Sequence, residues 1–389
     1  MGVNVKIIKN ANVVLENGII WDGGILIEDG KIVKADFIGN IEIPSDAEVI
    51  DAKGAYVGPG FVDIHVHGAM KDRLFANPVE IGEHFLKHGE TSICPTSSNS
   101  FTYEQLMDGI RNVKAHMGKV KNIKGIYMEG PYINPNYGAA RHILDSWNRG
   151  PIDEKQYKPL VDELGTLVKV WGIAPEREDL VPFLEYARKV NPDVVFSLCH
   201  CEATPEQVRA LGTKLRPTLI THMFNATGRQ TGSGGIRGYG PDEYCMADNE
   251  MYAELICDSF GVHVHSDLQR MAIKTKGIER IVLITDSTPY RDNAPKNNQI
   301  LNADDLNFNE VGSLAGSKLT MDKACRNIMK HTNCGIAQAF VMASLNPAKV
   351  IGMDDQIGSI EPGKIADLVF VDDKFNVQQV MVNGDICNF

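Results

Sequence analysis

Eight short apolar runs constrain the fold of this chain more than any other feature. They recur between residues 58 and 350, and a helix-like segment follows each of them. The runs are GFVDIHVHG, TSICPTSS, IKGIYMEGPYI, VKVWGIAPE, VVFSLCHCEA, PTLITHMFN, MYAELICDSF and RIVLITDS. Eight strands that alternate with helices favour a parallel (β/α)8 barrel of the TIM type. A doubly wound open sheet is the alternative, but no Gly-x-Gly-x-x-Gly turn follows the first run.

The two ends of the chain differ in pattern from the middle. Apolar and polar positions alternate between Gly-containing turns, as in GILIEDGKIV near the start and KIADLVFVDD near the end. Such alternation predicts strands with one buried face. We expect an antiparallel β domain at the start, with strands that pair with those at the end. The prediction is a small β-sandwich domain formed by residues 1–57 and 351–389, and a catalytic barrel at residues 58–350.

Composition excludes several classes of partner. The formal net charge of −11 argues against binding to nucleic acid or to an anionic membrane. No stretch has the apolar length of a membrane span, and the first residues read as a strand rather than a signal peptide. Eight cysteines without a secretory context indicate reduced thiols and a cytoplasmic protein. Cys199 and Cys201, on either side of His200, are interpreted as buried thiols of a strand rather than as a structural zinc site.

Metal-ligand and acid–base residues follow the predicted strands. His65 and His67 are two residues apart, so their side chains would point to the same face of a strand. The ends of later runs carry Glu129, His200, His222, His263, His265 and Asp286. A single histidine at a strand end is more often structural, but in a barrel of this type all these ends meet at the active site.

This set of residues predicts a catalytic metal site. Imidazole and carboxylate ligands with open positions suit a divalent ion, and Zn, Fe, Mn and Co all accept them. Such an ion lowers the pKa of bound water to about 7. Asp286 is the candidate for proton transfer to the leaving group. Residues 225–243, NATGRQTGSGGIRGYGPDE, form either a surface loop or a lid that binds an anion.

Several motifs together resemble the amidohydrolase superfamily. They are GPGFVDIHVHG at 58–68, MEGPYINP at 128–135, THMFNA at 221–226, GVHV at 261–264, ITDS at 284–287, GSLAGS at 312–317 and NPAKVIGMDDQIGSIEPGKIADLVFVD at 346–372. The combination of MEGPYINP, THMFNA and GSLAGS is similar to the amino-sugar-phosphate deacetylases of that superfamily. The resemblance implies hydrolysis of the acetamide of N-acetylglucosamine 6-phosphate, or of a related sugar such as N-acetylgalactosamine 6-phosphate.

The resemblance also implies roles for individual residues. Glu129, His200 and His222 would hold one metal ion, and His65 and His67 would add a second ion, with Glu129 as the bridge. Asp286 matches the catalytic aspartate. Substrate contacts are implied for His263, Asn225, Ala226, Gly138, Ala139, Ala140, Leu314, Ala315 and Gly316.

The chain departs from the family pattern in two places. Where the family has Gly-x-His after the glutamate motif, this chain has Gly138-Ala139-Ala140, and the next histidine is His142. The family's phosphate-binding arginine, often supplied by a neighbouring subunit, has two candidates here, Arg229 and Arg237. The resemblance implies a homodimer on this basis.

Two alternatives stay open at this point. A cyclic-amide hydrolase such as a dihydropyrimidinase or dihydroorotase shares the barrel, but it usually has a carboxylated lysine at the bridging position. A non-catalytic relative would keep the fold and lose ligands, whereas here the whole set is present.

Overall fold

The fold is given by a computed structural model, which describes residues 4–228, 238–291 and 303–389. Within these ranges the strands are β1 Val5–Leu15, β2 Gly18–Glu28, β3 Lys31–Phe37, β4 Glu48–Asp51, β5 Tyr56–Pro59, β6 Phe61–Val66, β7 Gly68–Ala69, β8 Asp72–Arg73, β9 Glu90–Pro95, β10 Ile126–Met128, β11 Val168–Ile173, β12 Val195–Leu198, β13 Leu219–Ile220, β14 Tyr252–Ile256, β15 Ile281–Ile284, β16 Leu306–Phe308, β17 Leu314–Ser317, β18 Leu368–Val371, β19 Val377–Val382 and β20 Asp385–Ile386.

The same ranges contain a series of mostly short helices. The α-helices are α1 Pro78–Lys87, α2 Tyr103–His116, α3 Glu154–Leu164, α4 Leu180–Val190, α5 Pro205–Ala210, α6 Gly212–Leu215, α7 Pro241–Ala247, α8 Ser266–Lys276, α9 Met321–Thr332, α10 Ile336–Phe340 and α11 Asn346–Val350. The 3-10 turns are Ile38–Asn40, Trp147–Arg149, Gly165–Leu167 and Ile278–Arg280, and a π-helical turn at Val341–Leu345 joins α10 to α11. Among the described helices, none combines the length and the apolar composition of a membrane span.

The two ends of the chain meet in one sheet. Its strand order is β20-β19-β18-β5-β1-β2-β3, with β4 also paired to β1. The ends join where β18 pairs antiparallel with β5, so that Leu368 lies opposite Pro59. The prediction that the ends pair is therefore confirmed.

The terminal sheet is mixed rather than antiparallel, and in this respect the prediction was wrong. Strand β1 pairs parallel with both β4 and β5. After the β1-β2-β3 meander, the chain crosses back to the other edge of β1 and therefore runs in the same direction as β1. Because β1 has 11 residues, its two halves accommodate β4 and β5 in turn.

The eight apolar runs of the middle are all strands, as predicted. Strands β10 to β15 form one parallel sheet in chain order, curled into a half-barrel, and β6 pairs parallel with β9. Every residue of β6 and β9 is buried, which is typical of parallel strands with both faces covered. Helices begin at sequence signals such as Thr102, which caps α2 in a capping box with Gln105.

The hydrophobic core lies between the parallel strands of the middle region, beneath the edge formed by their C-terminal ends. One buried cluster contains residues from β6, β10, β11, β13, β14 and β15, among them Val62, Tyr127, Val170, Leu219 and Ile284. A second cluster joins helices α1 to α4 to the outer side of the strands. Burial of each large apolar side chain stabilises the fold by about 1.5–3 kcal/mol, so the strand ends above the core are rigidly placed.

Candidate active site

The predicted metal ligands lie together at the C-terminal ends of the parallel strands. They are His65 in β6, His67 after it, Glu129 after β10, His200 after β12, His222 after β13 and Asp286 after β15. All six side chains are buried. Parallel strands end at one edge of their sheet, so residues far apart in sequence converge here.

The Glu129 carboxylate lies at the centre of this group. Its Oε1 atom is 2.8 Å from His200 Nε2 and 3.3 Å from His222 Nε2. Its Oε2 atom is 3.5 Å from His67 Nε2, and His65 Nε2 is 3.9 Å from Oε1. One carboxylate thus lies within 4 Å of four imidazole rings.

Asp286 lies on the side of the site formed by β6. Its Oδ1 atom is 3.2 Å from His67 Nε2 and 3.7 Å from His65 Nε2. These three residues form one group whose potential ligand atoms lie within 4.8 Å of one another, and Glu129, Cys199, His200 and His222 form another. The Cys199 thiol stays neutral beside the site, since burial raises its pKa well above the usual range.

These residues fit a divalent metal ion. His65 Nε2 is buried, points among the carboxylates and has no hydrogen-bond partner in the described part of the chain. Imidazole nitrogens and carboxylate oxygens are the ligands that zinc and the neighbouring transition metals prefer. The two groups are adjacent, because Glu129 of one group lies within 4 Å of His65 and His67 of the other. Together they supply enough ligand atoms for one or two ions.

Hydrogen bonds through Nδ1 orient three of the rings. In each case Nδ1 contacts an oxygen, and Nε2 is left to point towards Glu129. The pairs are His65 with Glu254 Oε2 at 3.1 Å, His222 with the Asn225 carbonyl at 3.0 Å, and His200 with the Ala226 carbonyl at 3.3 Å. Sequence reasoning missed Glu254, although a glutamate inside the apolar run MYAELICDSF was a usable signal.

The electrostatics of the site favour positive charge between the rings. Burial alone would lower the pKa of His65, but the carboxylates of Glu254, Asp286 and Glu129 raise it to about 10. Burial works in the opposite direction on Glu129, yet contacts with His200 and His222 hold its pKa well below the usual range. A bound cation would satisfy the same buried carboxylates.

Three of the site residues have left-handed backbone conformations. The φ angles are 42° at His200, 30° at His222 and 47° at Asp286. Residues other than glycine adopt such angles at a cost, and they cluster at functional sites. The turn directly after each strand aims these side chains across the strand ends.

His263 does not line the cavity. Its Nδ1 atom is 3.0 Å from Asp258 Oδ2, and its Nε2 atom is 3.1 Å from the Gly316 carbonyl. Although burial would raise the pKa of Asp258, hydrogen bonds from His263 and nearby backbone amides hold it at about 2. The pair thus supports the loop at Gly316, and a substrate contact by His263 stays a prediction. His265, by contrast, is exposed and caps α8.

A cavity of about 470 Å³ opens above the buried carboxylates. The residues predicted to contact substrate and found in its wall are Gly138, Ala139, Ala140, Asn225, Ala226, Leu314, Ala315 and Gly316. The wall also contains Arg73, Arg141 and Arg291, which sequence reasoning missed. Arg229 and Arg237 lie outside the described residues.

The family comparison agrees with this arrangement. Residues 200–387 match the sequence profile of the amidohydrolase family. The chain carries an amidohydrolase domain. No lysine of the described ranges lines the cavity, whose wall includes Glu129.

Relatives match this chain over nearly its whole length. An N-acetylgalactosamine-6-phosphate deacetylase of Escherichia coli O157:H7 is 28% identical, with 98% of this chain and 99% of the relative covered. The N-acetylglucosamine-6-phosphate deacetylase of Bacillus subtilis is 27% identical, with 98% and 96% covered. Among solved structures, a mutant N-acetylglucosamine-6-phosphate deacetylase of Mycobacterium smegmatis in complex with N-acetyl-D-glucosamine 6-phosphate superposes with a TM-score of 0.80 at 25% identity, with 98% of this chain and 99% of that chain covered.

The His-x-His pair can be tested by metal content. We expect the double variant His65→Asn/His67→Asn to lose one of two metal ions per chain, because it removes two nitrogens from the group that contains Asp286. The measurement is the metal-to-protein ratio after reconstitution with Zn²⁺. His265→Asn is the matched control, since Asn also caps helices well. An unchanged ratio in the double variant would show that the pair holds no ion of its own.

Proposed function

We propose that this protein removes the acetyl group from an N-acetylhexosamine 6-phosphate and releases acetate and the amino-sugar phosphate. The observation that carries the proposal is one buried carboxylate shared by four imidazoles, with Asp286 beside it, at the base of an amidohydrolase cavity. Relatives with this activity in their names support the class of substrate. N-acetylglucosamine 6-phosphate is the first candidate. N-acetylgalactosamine 6-phosphate is the second, because a relative at 28% identity is named for it.

We further propose that β6, β9 and β10 to β15 close into a complete (β/α)8 barrel at residues 58–350. Backbone hydrogen bonds at both seams support closure: Ser97 N donates to Tyr127 O at 3.0 Å, and Asp286 N donates to His65 O at 2.9 Å. The terminal sheet would belong to a small β-sandwich domain of residues 1–57 and 351–389, whose ends already pair.

The metal assignment follows from the two groups of ligands. Glu129, His200 and His222 would hold one divalent ion, and His65 and His67 would hold a second, with Glu129 between them. A bound ion supplies Lewis acidity at the acetamide carbonyl and lowers the pKa of water.

Asp286 is assigned the proton steps. Its carboxylate lines the cavity beside His67, where it can accept a proton from the attacking water. The C–O bond to the acetyl carbon then forms, and Asp286 returns the proton to the sugar nitrogen as the C–N bond breaks. Asp286 thus carries one proton of the water to the nitrogen and ends as a carboxylate again. The second water proton leaves the new carboxyl group for the amine, so the products are acetate and the ammonium form of the amino sugar.

The loop at Gly138 holds the sugar against this centre in our proposal. Gly138 has a φ of 80°, and a Cβ atom there would lie 3.0 Å from His200 Cε1. A side chain at this position would therefore press on a metal-ligand ring, so glycine lets the loop approach closely. Residues 225–226 and 314–316 form neighbouring parts of the wall.

Assembly and location are proposed on other grounds. The resemblance seen in the sequence supports a homodimer. Eight cysteines, all unpaired, support a cytoplasmic location.

The experiment is acetate release by the metal-loaded enzyme from N-acetylglucosamine and N-acetylgalactosamine, each with and without a 6-phosphate. We expect turnover of the two phosphorylated sugars, and a different kcat/KM for each of these epimers. Failure to release acetate from all four compounds would refute the proposed function. Turnover of dihydroorotate or dihydropyrimidines instead would favour the cyclic-amide alternative.

A further inference from the structure

Three arginines line one part of the cavity with little negative charge to balance them. Arg291 Nη1 lies 2.7 Å from Glu310 Oε2. Arg141 donates to neutral partners, the Gly138 carbonyl at 3.2 Å and Ser313 Oγ at 3.3 Å. The other carboxylates of the cavity wall, Glu129 and Asp286, lie among the histidines. At least two guanidinium charges are therefore uncompensated on this side.

Of the three arginines, Arg73 has the fewest polar partners among the described residues. Its guanidinium carbon lies 5.3 Å from the centre of the Phe101 ring, and its side chain forms no hydrogen bond or ion pair with any described residue. Burial, and then the charge of Arg291, lower the pKa of Arg73 to about 10. A partly buried guanidinium normally has a carboxylate or several carbonyl partners. Here its donors remain available to a ligand in the cavity.

The backbone holds Arg73 next to the proposed metal centre. Arg73 pairs with Gly68 in the β7-β8 hairpin, and Leu74 N donates to the His67 carbonyl at 2.8 Å. The side chain therefore starts a few residues from a predicted metal ligand, on a hairpin fixed to the same strand end.

The same hairpin is joined to the segment that carries Arg291. Tyr290 N donates to the Met70 carbonyl at 2.8 Å, and Arg291 N donates to Asn307 Oδ1 at 2.9 Å. The two like charges are thus held at one cavity by fixed backbone rather than by mutual attraction. An anion between them would relieve the repulsion that this arrangement creates.

We propose that Arg73, together with Arg291 and Arg141, forms an anion subsite within a single chain that binds the phosphate of the substrate. The inference rests on the proposed function, which it deepens, and it assigns phosphate recognition to residues other than Arg229 and Arg237. Phosphate oxygens match the paired donors of a guanidinium, so an arginine on a rigid hairpin is well suited to this task. The contact of Arg73 with the Phe101 ring restrains the side chain and reduces the entropy lost on binding.

The test compares kcat/KM of wild type and Arg73→Gln on N-acetylglucosamine 6-phosphate and on N-acetylglucosamine. We expect Arg73→Gln to lose roughly 10- to 100-fold on the phosphorylated sugar, mainly through KM, and to change little on the other. Arg73→Lys keeps the positive charge but lacks the paired donors of the planar guanidinium. It should therefore recover part of the lost kcat/KM. Arg111→Gln is the matched control, because Arg111 lies on the exposed face of α2.

A binding measurement separates this inference from the proposed function. Glucose 6-phosphate has no acetamide, so its protection of the enzyme against thermal unfolding reports the subsite without catalysis. We expect protection by glucose 6-phosphate but not by glucose, and loss of that protection in Arg73→Gln and in Arg291→Gln. This result would support the subsite even if no acetylated sugar were turned over.

Two outcomes would overturn the inference while the deacetylase activity stands. One is equal wild-type kcat/KM on the phosphorylated and unphosphorylated sugars. The other is a folded Arg73→Gln enzyme that keeps both its preference for the phosphorylated sugar and its protection by glucose 6-phosphate.

Discussion

Asp286→Asn is expected to lower kcat for acetate release by about 100- to 10,000-fold while the enzyme keeps its metal. An amide has nearly the shape of a carboxylate, so contacts with His67 and His65 can persist. The amide cannot accept the proton of the attacking water. The sugar nitrogen would therefore have no proton donor when the C–N bond breaks. The measurements are kcat on N-acetylglucosamine 6-phosphate and the metal-to-protein ratio of the same preparation.

The control for this variant is Asp267→Asn, an exposed aspartate in the first turn of α8. It should leave kcat unchanged. Full activity of Asp286→Asn would remove the proton-transfer assignment. A parallel loss of metal would instead make Asp286 chiefly a ligand, as its place in one group with His65 and His67 allows.

The sequence predicts the strands and their ends well because both depend on local patterns. Each of the eight runs is a short apolar segment bounded by polar residues, and all are strands. A parallel arrangement then places the following residues at one edge, which is why Glu129 and His200 could be grouped without a structure. The distance of 2.8 Å between Glu129 Oε1 and His200 Nε2 is a consequence of that topology.

The residues that sequence reasoning missed depend on tertiary partners. The role of Glu254 becomes visible only in the folded chain, where it contacts His65 from a different strand and orients the ring. Arg73 reads as an ordinary surface cation until the hairpin at Gly68 turns it towards the cavity. The mixed pairing of the terminal sheet was likewise hidden, because alternation of apolar residues does not encode strand direction.

The left-handed backbone angles at His200, His222 and Asp286 also depend on tertiary structure and could not be predicted from the sequence. Nothing in the residue types at these positions requires a positive φ, and sequence alone would favour an ordinary extended backbone. The surrounding fold imposes the turn, since each residue follows a buried strand that cannot shift. Such strain is tolerated where it places a functional side chain.

Glu129→Gln should have the largest effect on metal binding. Because Glu129 lies within 4 Å of four imidazoles, its charge lies beside both groups of predicted ligands, and the variant should lose both ions and reduce acetate release on the order of 1,000-fold or more. The measurements are the metal-to-protein ratio and kcat, with Glu206→Gln on the exposed face of α5 as the control.

Comparison with His65→Asn/His67→Asn makes this test specific to the bridging role. A bridging carboxylate predicts the loss of one ion in the histidine double variant and of both in Glu129→Gln. Loss of a single ion in each variant would mean that Glu129 serves only the group with His200 and His222. A full complement of metal in Glu129→Gln would contradict its assignment as a ligand, because no other carboxylate of the described chain lies as close to all four rings.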